Sequence, residues 1–405
     1  MPDTIVVAGA SLAGLRAVEA LRREGYAGRI VVAGAEPHLP YDRPPISKEL
    51  LAGKTEPEQI ALRKQPYDDL DADWRLGRRA AALDIANREV ELHDGERLPF
   101  DGLVVATGAT PRTLPDQPTL HGLFTLRTLD DCLAIRGLLD ASPARVVVIG
   151  AGFIGAEVAA TCRGRGADVT VLEALPAPMV RGVGPVIGEV LGEIHRDHGV
   201  DLRCNVVVDG FVGDDHVTGV RLADATVIEG DLVLVAVGVA PETRWLEGSG
   251  LTLDNGVVCD ETLLAAPGIV AAGDVARWPN PLFDGELMRL EHWTNATEQG
   301  VHAAKRLLGD IVGVAGEGEP FSSVPFVWSD QYDLKIQTVG RFHGDDEMTI
   351  AHGSLEERRF VALFGRGGRL MGAMGFSRPR QVMQYRRMIA DRGSYADALA
   401  SASGS

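Results

Sequence analysis

The chain has 405 residues, enough for two or three domains, with 45% hydrophobic and 24% charged residues. A formal net charge of −17 argues against nucleic acid as a partner, and no apolar run approaches the roughly 20 residues that span a bilayer. The four cysteines, Cys132, Cys162, Cys204 and Cys259, form no close pair, so neither a disulfide framework nor a metal site is expected.

The N-terminus runs directly into an apolar segment, without the basic-then-apolar pattern of a secretory signal, which makes the cytoplasm the default compartment. Residues 4–8 and 30–33 read as buried strands flanking a helix at about 12–24, a βαβ unit. Its turn, Gly9-Ala10-Ser11-Leu12-Ala13-Gly14, keeps the outer glycines of a dinucleotide-binding motif and puts Ser11 at the middle position. Residues 102–106 followed by Thr107-Gly108-Ala109 read as a strand returning beneath that turn. A second unit opens at Arg145, with the complete turn Gly150-Ala151-Gly152-Phe153-Ile154-Gly155, a helix over 153–164 and a strand over 168–173. It closes with an apolar strand, 231–237, ending at Gly238.

Residues 268–272 form a strand ending in Gly273-Asp274, followed by a helix over 295–308. Beyond about 320, short alternating segments at 334–339, 359–364 and 369–374 predict a small antiparallel sheet, closed by a helix at 379–391, and the tail 401–405 is expected to be disordered. The fold class implied is α/β, with two Rossmann-like dinucleotide-binding domains, the first (1–112 and 245–320) interrupted by the second (113–244), and a C-terminal α+β domain (321–405).

Each glycine turn aims a helix N-terminus and backbone N–H groups at a pyrophosphate. Two such turns in one chain predict two nucleotides held face to face, and the obvious pair is a flavin and a nicotinamide. Glu173, at the end of the second unit's second strand, is placed to accept hydrogen bonds from a ribose 2′-OH and to repel a 2′-phosphate, which favours NADH over NADPH. Arg181 either touches the same cofactor or is a surface charge. In the first unit, Glu36 either binds ribose hydroxyls or is a solvated loop carboxylate.

The run Pro37-His38-Leu39-Pro40-Tyr41-Asp42-Arg43-Pro44-Pro45-Ile46-Ser47-Lys48 resembles the signature of FAD-dependent NADH:ferredoxin reductases, which feed oxygenases and cytochromes P450. The resemblance continues through Ala106-Thr107-Gly108, Gly273-Asp274, Glu291-His292-Trp293-Thr294-Asn295-Ala296 and Trp328-Ser329-Asp330-Gln331, and spans essentially the whole chain. It implies that Gly9, Ser11, Leu12, Ala13 and Gly14 cradle the FAD pyrophosphate, that Ala80 meets the adenine through its backbone and that Arg127 lies along the diphosphate. Asp274 is implied at the ribityl chain, Trp293 with Glu291 and His292 at the flavin pyrimidine end, and Arg43 and Lys48 toward the flavin. Ala35 falls where relatives place an acidic ribose ligand, so Glu36 or the backbone is left with that contact. Gly150, Gly152, Phe153, Ile154, Gly155, Glu173, Arg181 and Gly238 are assigned to NADH.

The resemblance gives Lys48 and Glu157 catalytic roles, the carboxylate pairing with the flavin-side lysine where nicotinamide docks. Without it, the reading favoured for Glu157 is an acidic residue stabilising a helix start, and for Lys48 the plain reading is a solvated loop lysine. Trp293 and Trp328, set among polar residues, fit cofactor-lining loops better than core strands. Residues 34–60 contain no cysteine, unlike the disulfide reductases and NADH oxidases of the wider superfamily, so electrons reaching the flavin have no thiol relay. The implied acceptor is a [2Fe–2S] ferredoxin serving a P450 or dioxygenase. The arginines at 378, 380, 386, 387 and 392 either steer that acidic partner or form a solvated helix face. A rubredoxin reductase, an NADH oxidase and a redox sensor resembling apoptosis-inducing factor remain as alternatives, and the sequence leaves the oligomeric state open.

Overall fold

The computed structural model describes residues 4–141, 144–311 and 318–403. They include seven α-helices: α1 (Leu12–Arg23), α2 (Leu129–Ala141), α3 (Phe153–Gly164), α4 (Val180–Asp197), α5 (Trp293–Ile311), α6 (Pro379–Ala390) and α7 (Tyr395–Ser403). The chain divides into two compact units. One comprises Met1–Asp42, Ala61–Thr110 and Ala240–Phe326, the other Arg43–Ile60, Pro111–Val239 and Val327–Ser405.

The first unit is built on a six-stranded sheet in the order Leu264–Ala266, Ile269–Ala271, Gly102–Val105, Thr4–Ala8, Arg29–Ala33 and Ala72–Arg75. Its strands run parallel except at the Leu264–Ala266 edge. Both faces are covered, which is why these strands read as unbroken Val, Ile and Ala rather than alternating. Helices α1 and α5 cross closely at Gly300, where a Cβ would stand 2.4 Å from the Ala13 carbonyl oxygen. A three-stranded antiparallel ribbon, Ala80–Asp84, Glu89–Leu92 and Arg97–Pro99, also belongs to this unit.

The second unit repeats the plan. Its parallel sheet has the order Asp201–Arg203, Asp168–Leu172, Arg145–Ile149, Leu232–Val235 and Leu123–Phe124. One face shares a core with the antiparallel sheet Val208–Val212, Gly219–Leu222, Val227–Glu229, through Val147, Ile149, Val220, Leu222 and Val233. The C-terminal sheet, ordered Phe326–Gln331, Leu334–Gly340, Arg369–Phe376, Arg359–Arg366 and Glu347–Ser354, packs on α4. Ile187, Leu191 and Ile194 meet Ile336, Phe360, Met374 and Phe376 there, and each such side chain contributes about 1.5–3 kcal/mol when fully buried. Helix α4 bends at Gly184-Pro185, since proline interrupts the helical hydrogen-bond ladder.

The fold class read from the sequence holds: two Rossmann-like units and a C-terminal α+β region. Two expectations are corrected. The tail is helical through Ser403, because α7 packs on Arg359–Arg366 and Arg369–Phe376 and buries Ala398; residues 404–405 lie outside the described residues. Trp328 lies in the strand Phe326–Gln331 rather than a loop, and Trp293 is the first residue of α5. In that strand Ser329 and Gln331 point inward while Trp328 and Asp330 are half-buried, so the polar residues follow the two-residue period of a strand. No helix of the described residues is long and apolar enough to cross a membrane.

Candidate functional site

In the first unit, Gly9 ends the strand Thr4–Ala8 with φ +127°, and a Cβ there would lie 2.0 Å from the Ala106 carbonyl oxygen. The turn is thereby pressed onto Ala106-Thr107-Gly108, and the Ala106 N–H donates to Ala8 O at 2.7 Å. Gly14 closes the turn from the helix side, its absent Cβ falling 1.9 Å from Gly9 O. Thr107 donates from Oγ1 to Glu242 O at 2.8 Å, holding the returning segment down.

The Gly273-Asp274 turn joins the same end of the sheet. A Cβ on Gly273 would meet Ala13 Cβ at 3.0 Å, and its N–H donates to Gln299 Oε1 of α5 at 2.8 Å. Arg289, not singled out from the sequence, ties two expected residues together: it donates to Asp274 O at 3.1 Å and pairs with Glu291 at 2.8 Å. The Trp293 indole donates to Asp42 Oδ1 at 2.8 Å, and His292 directly precedes α5. Ala80 begins the antiparallel ribbon. Ala35 is exposed, while Glu36 accepts the Tyr41 hydroxyl at 2.5 Å through Oε2.

The second unit reproduces these contacts. A Cβ on Gly150 would lie 2.6 Å from Ala236 O, one on Gly155 would lie 2.0 Å from Gly150 O, and Ala236-Val237-Gly238 takes the place of Ala106-Thr107-Gly108. Glu173 Oε2 accepts the Ala151 N–H at 2.7 Å and its Oε1 accepts the Leu175 N–H at 2.9 Å, which fixes the carboxylate against the turn. Phe153 and Ile154 open α3, with Ile154 exposed. Arg181 stands exposed on the first turn of α4.

Also in the second unit, Lys48 and Glu157 meet at 2.7 Å, with side-chain exposures of only 11% and 4%. Glu157 is the fifth residue of α3, past the first turn, so helix-start stabilisation does not account for it. Its Oε2 also accepts the Ser47 hydroxyl at 2.5 Å, and its Oε1 accepts the Ser329 hydroxyl at 2.7 Å. The Thr161 hydroxyl donates to Ser47 O at 2.8 Å and Arg165 Nη1 to Leu51 O at 2.8 Å, clamping the segment that carries Lys48 onto α3. Arg43 donates to the Arg127 carbonyl. Ser47 and Ser329 lay inside the recognised sequence runs, but nothing local marked them as partners of Glu157, 110 and 172 residues away respectively.

These groups fit two bound dinucleotides. The N-cap residue of α3 is Gly152, which has no side chain to cap the helix, and a Cβ there would meet nothing within 4 Å, so open space lies before the N–H groups of α3. Beside the Gly273-Asp274 turn, the buried Nε2 of Gln299 and Oδ1 of Asn295 have no protein partner, which suits a polar ligand. The four cysteines are free, and burial pushes the thiols of Cys132, Cys162 and Cys259 up to about 12, so they do not supply thiolates near neutral pH.

Residues 3–300 match the model of the pyridine nucleotide-disulphide oxidoreductase family and residues 326–403 that of the reductase C-terminal domain. The chain belongs to this oxidoreductase family. Within the family it is 37% identical to rhodocoxin reductase of Rhodococcus erythropolis, over 96% of this chain and 89% of that protein. It is 34% identical to the chlorobenzene dioxygenase ferredoxin reductase component of a Cupriavidus strain, over 97% and 94%. The crystal structure of the covalent putidaredoxin reductase–putidaredoxin complex superposes with a TM-score of 0.91 at 32% identity, covering 99% of this chain and 98% of that one.

Proposed function

We propose that this chain is an FAD-dependent NADH:ferredoxin reductase of the cytoplasm, delivering electrons to a [2Fe–2S] ferredoxin that serves a cytochrome P450 or a ring-hydroxylating dioxygenase. Residues 1–112 and 245–320 hold FAD, 113–244 hold NADH, and 321–405 form the C-terminal domain. When bound, the flavin accepts a hydride from NADH and releases the electrons one at a time. The chain's own residues bind, orient and supply charge. Gly9 to Gly14 give the FAD pyrophosphate a flat approach to backbone N–H groups; Asp274, Glu291, His292 and Trp293 line the flavin, with Arg289 bracing Asp274 and Glu291. Ala80, Arg43 and Arg127 complete the cofactor contacts. Gly150 to Gly155 take the NADH pyrophosphate, with Gly238 beneath and Glu173 at the adenosine ribose.

The observation that carries this reading is the buried Lys48–Glu157 pair at 2.7 Å. An ammonium held by a carboxylate stabilises the negative charge a flavin gains on reduction, and the carboxylate orients the lysine. Names and lengths of the relatives support the acceptor class, since near-full-length matches serve rhodocoxin and a dioxygenase system. The test is cytochrome c reduction by the purified protein with NADH, alone and with [2Fe–2S] ferredoxins from P450 and dioxygenase systems. Ferredoxin-dependent turnover that NADPH supports poorly is expected. NADH turnover that no ferredoxin stimulates, with oxygen consumed instead, would replace this reading with an NADH oxidase.

A further inference from the structure

The hydroxyl that meets Glu157 Oε1 is the near end of a longer chain of hydrogen bonds inside the second unit. Gln331 Nε2 donates to Ser329 Oγ at 3.1 Å, His195 Nε2 lies 3.1 Å from Gln331 Oε1, and the Tyr332 hydroxyl lies 2.9 Å from His195 Nδ1. Ser329, Gln331 and His195 are 0%, 1% and 3% exposed, so no solvent competes for these groups. His195 comes from α4, Ser329, Gln331 and Tyr332 from the C-terminal sheet region, and Glu157 from α3.

The polarity of this chain is forced. Glu157 receives Lys48 and Ser47 on Oε2 and acts as an acceptor, so Ser329 must donate to it. The Ser329 oxygen then accepts from the Gln331 amide, which turns Gln331 Oε1 toward His195. That oxygen can only accept, so the His195 proton sits on Nε2, and Nδ1 accepts the Tyr332 hydroxyl. Burial keeps the imidazole neutral, pushing its pKa down to about 4, and raises that of the Tyr332 phenol. His198 stacks on the Tyr332 ring at 3.7 Å and 11°, fixing the far end. Each link removes an alternative from the next: a hydroxyl rotor, an amide flip, a tautomer. An amide in the middle makes the chain a poor proton wire and a good clamp.

We propose that Gln331 and His195 are positioning residues for hydride transfer, holding the Ser329 hydroxyl on Glu157 and thereby fixing the Lys48–Glu157 pair in one geometry. The inference rests on the reductase reading above. Nothing in it requires either residue to touch substrate or cofactor.

The test is anaerobic stopped-flow reduction of the FAD-loaded protein by NADH, together with 15N NMR of histidine-labelled wild type. Gln331→Met, similar in volume but unable to bond, should lower the limiting reduction rate about tenfold while the apparent Kd for NADH stays within about twofold. His195→Leu should slow it several-fold, and His195→Gln, which keeps a donor near the Nε2 position, should recover most of that loss. The NMR spectrum should show a neutral His195 protonated on Nε2. Wild-type limiting rates in both Gln331→Met and His195→Leu, equal rates in His195→Leu and His195→Gln, or an Nδ1–H tautomer would each overturn the proposal. If Gln331→Met does not fold, the two His195 variants and the tautomer decide. Wild-type protein that binds FAD but is not reduced by NADH would sink the reductase reading itself, whatever the tautomer.

Discussion

The two glycine turns are the same backbone solved twice, and they differ where the ribose would lie. In register, Gly9 N–H donates to Ala33 O and Gly150 N–H to Leu172 O, so Gly34 stands where Glu173 stands in the second unit. Glu173 points its carboxylate back to the Ala151 N–H at 2.7 Å. Gly34 cannot carry such a group, because its Cβ would fall 2.5 Å from Ala10 Cβ. We read the acidic position of the first unit as displaced outward by one residue, to Ala35, which is exposed, while the neighbouring Glu36 holds Tyr41. The middle position differs as well, glycine in one turn and Ser11 in the other. At Gly152 a Cβ meets open space, so the serine is sterically tolerable on the protein side. What both turns enforce is the outer glycine pair; what differs between them is the middle position and the residue that follows the second strand.

The largest expected effect tests what the turns share. Gly9→Ala puts a side chain at φ +127° and 2.0 Å from Ala106 O, and should cost on the order of 3 kcal/mol or more with loss of bound flavin. Denaturant unfolding and the flavin-to-protein ratio check it; a stable yellow variant would break the equivalence drawn between the turns. Lys48→Ala comes next. It should retain FAD yet slow flavin reduction by about a hundredfold, read by stopped flow, because one charge stabilising the reduced cofactor is lost. Unchanged reduction would remove Lys48 from the chemistry.

Two smaller effects sharpen the difference between the turns. Ala35→Asp should slow FAD release about tenfold by restoring a charged acceptor, whereas Gly34→Asp should weaken binding because the turn has no room for it. The same response from both would show that the one-residue displacement is wrong. Glu173→Ala should narrow the ratio of kcat/KM for NADH over NADPH by a few-fold to about tenfold, since it removes both an acceptor and a repulsion. An unchanged ratio would reject its role at the ribose.

Most of the scaffold was legible. The runs at 4–8 and 145–149 are buried on both faces and say so in composition, and the turns that follow them carry their glycines in sequence. The C-terminal sheet and α6 were readable from alternation and helical spacing. Less visible were α4, whose Gly184-Pro185 bend breaks the pattern, and α7, whose last residues, 401–403, looked like part of a disordered tail. The site divided along similar lines. Lys48 and Glu157 were found through resemblance, but Ser47, Ser329, Gln331 and His195 gather around them by tertiary folding across residues 47–331, and no local pattern encodes that. Arg289 escaped for the same reason: an arginine before Glu291 gives no hint that it reaches back to Asp274 O.

The most direct measurement is anaerobic titration of the FAD-reconstituted protein with NADH, following the visible flavin absorbance. The expected result is one flavin bound per chain, bleached by a single equivalent of NADH and restored by two equivalents of an oxidised [2Fe–2S] ferredoxin. A chain that takes up no flavin, or a bound flavin that NADH leaves oxidised, would contradict the central claim that this chain binds FAD and reduces it with NADH.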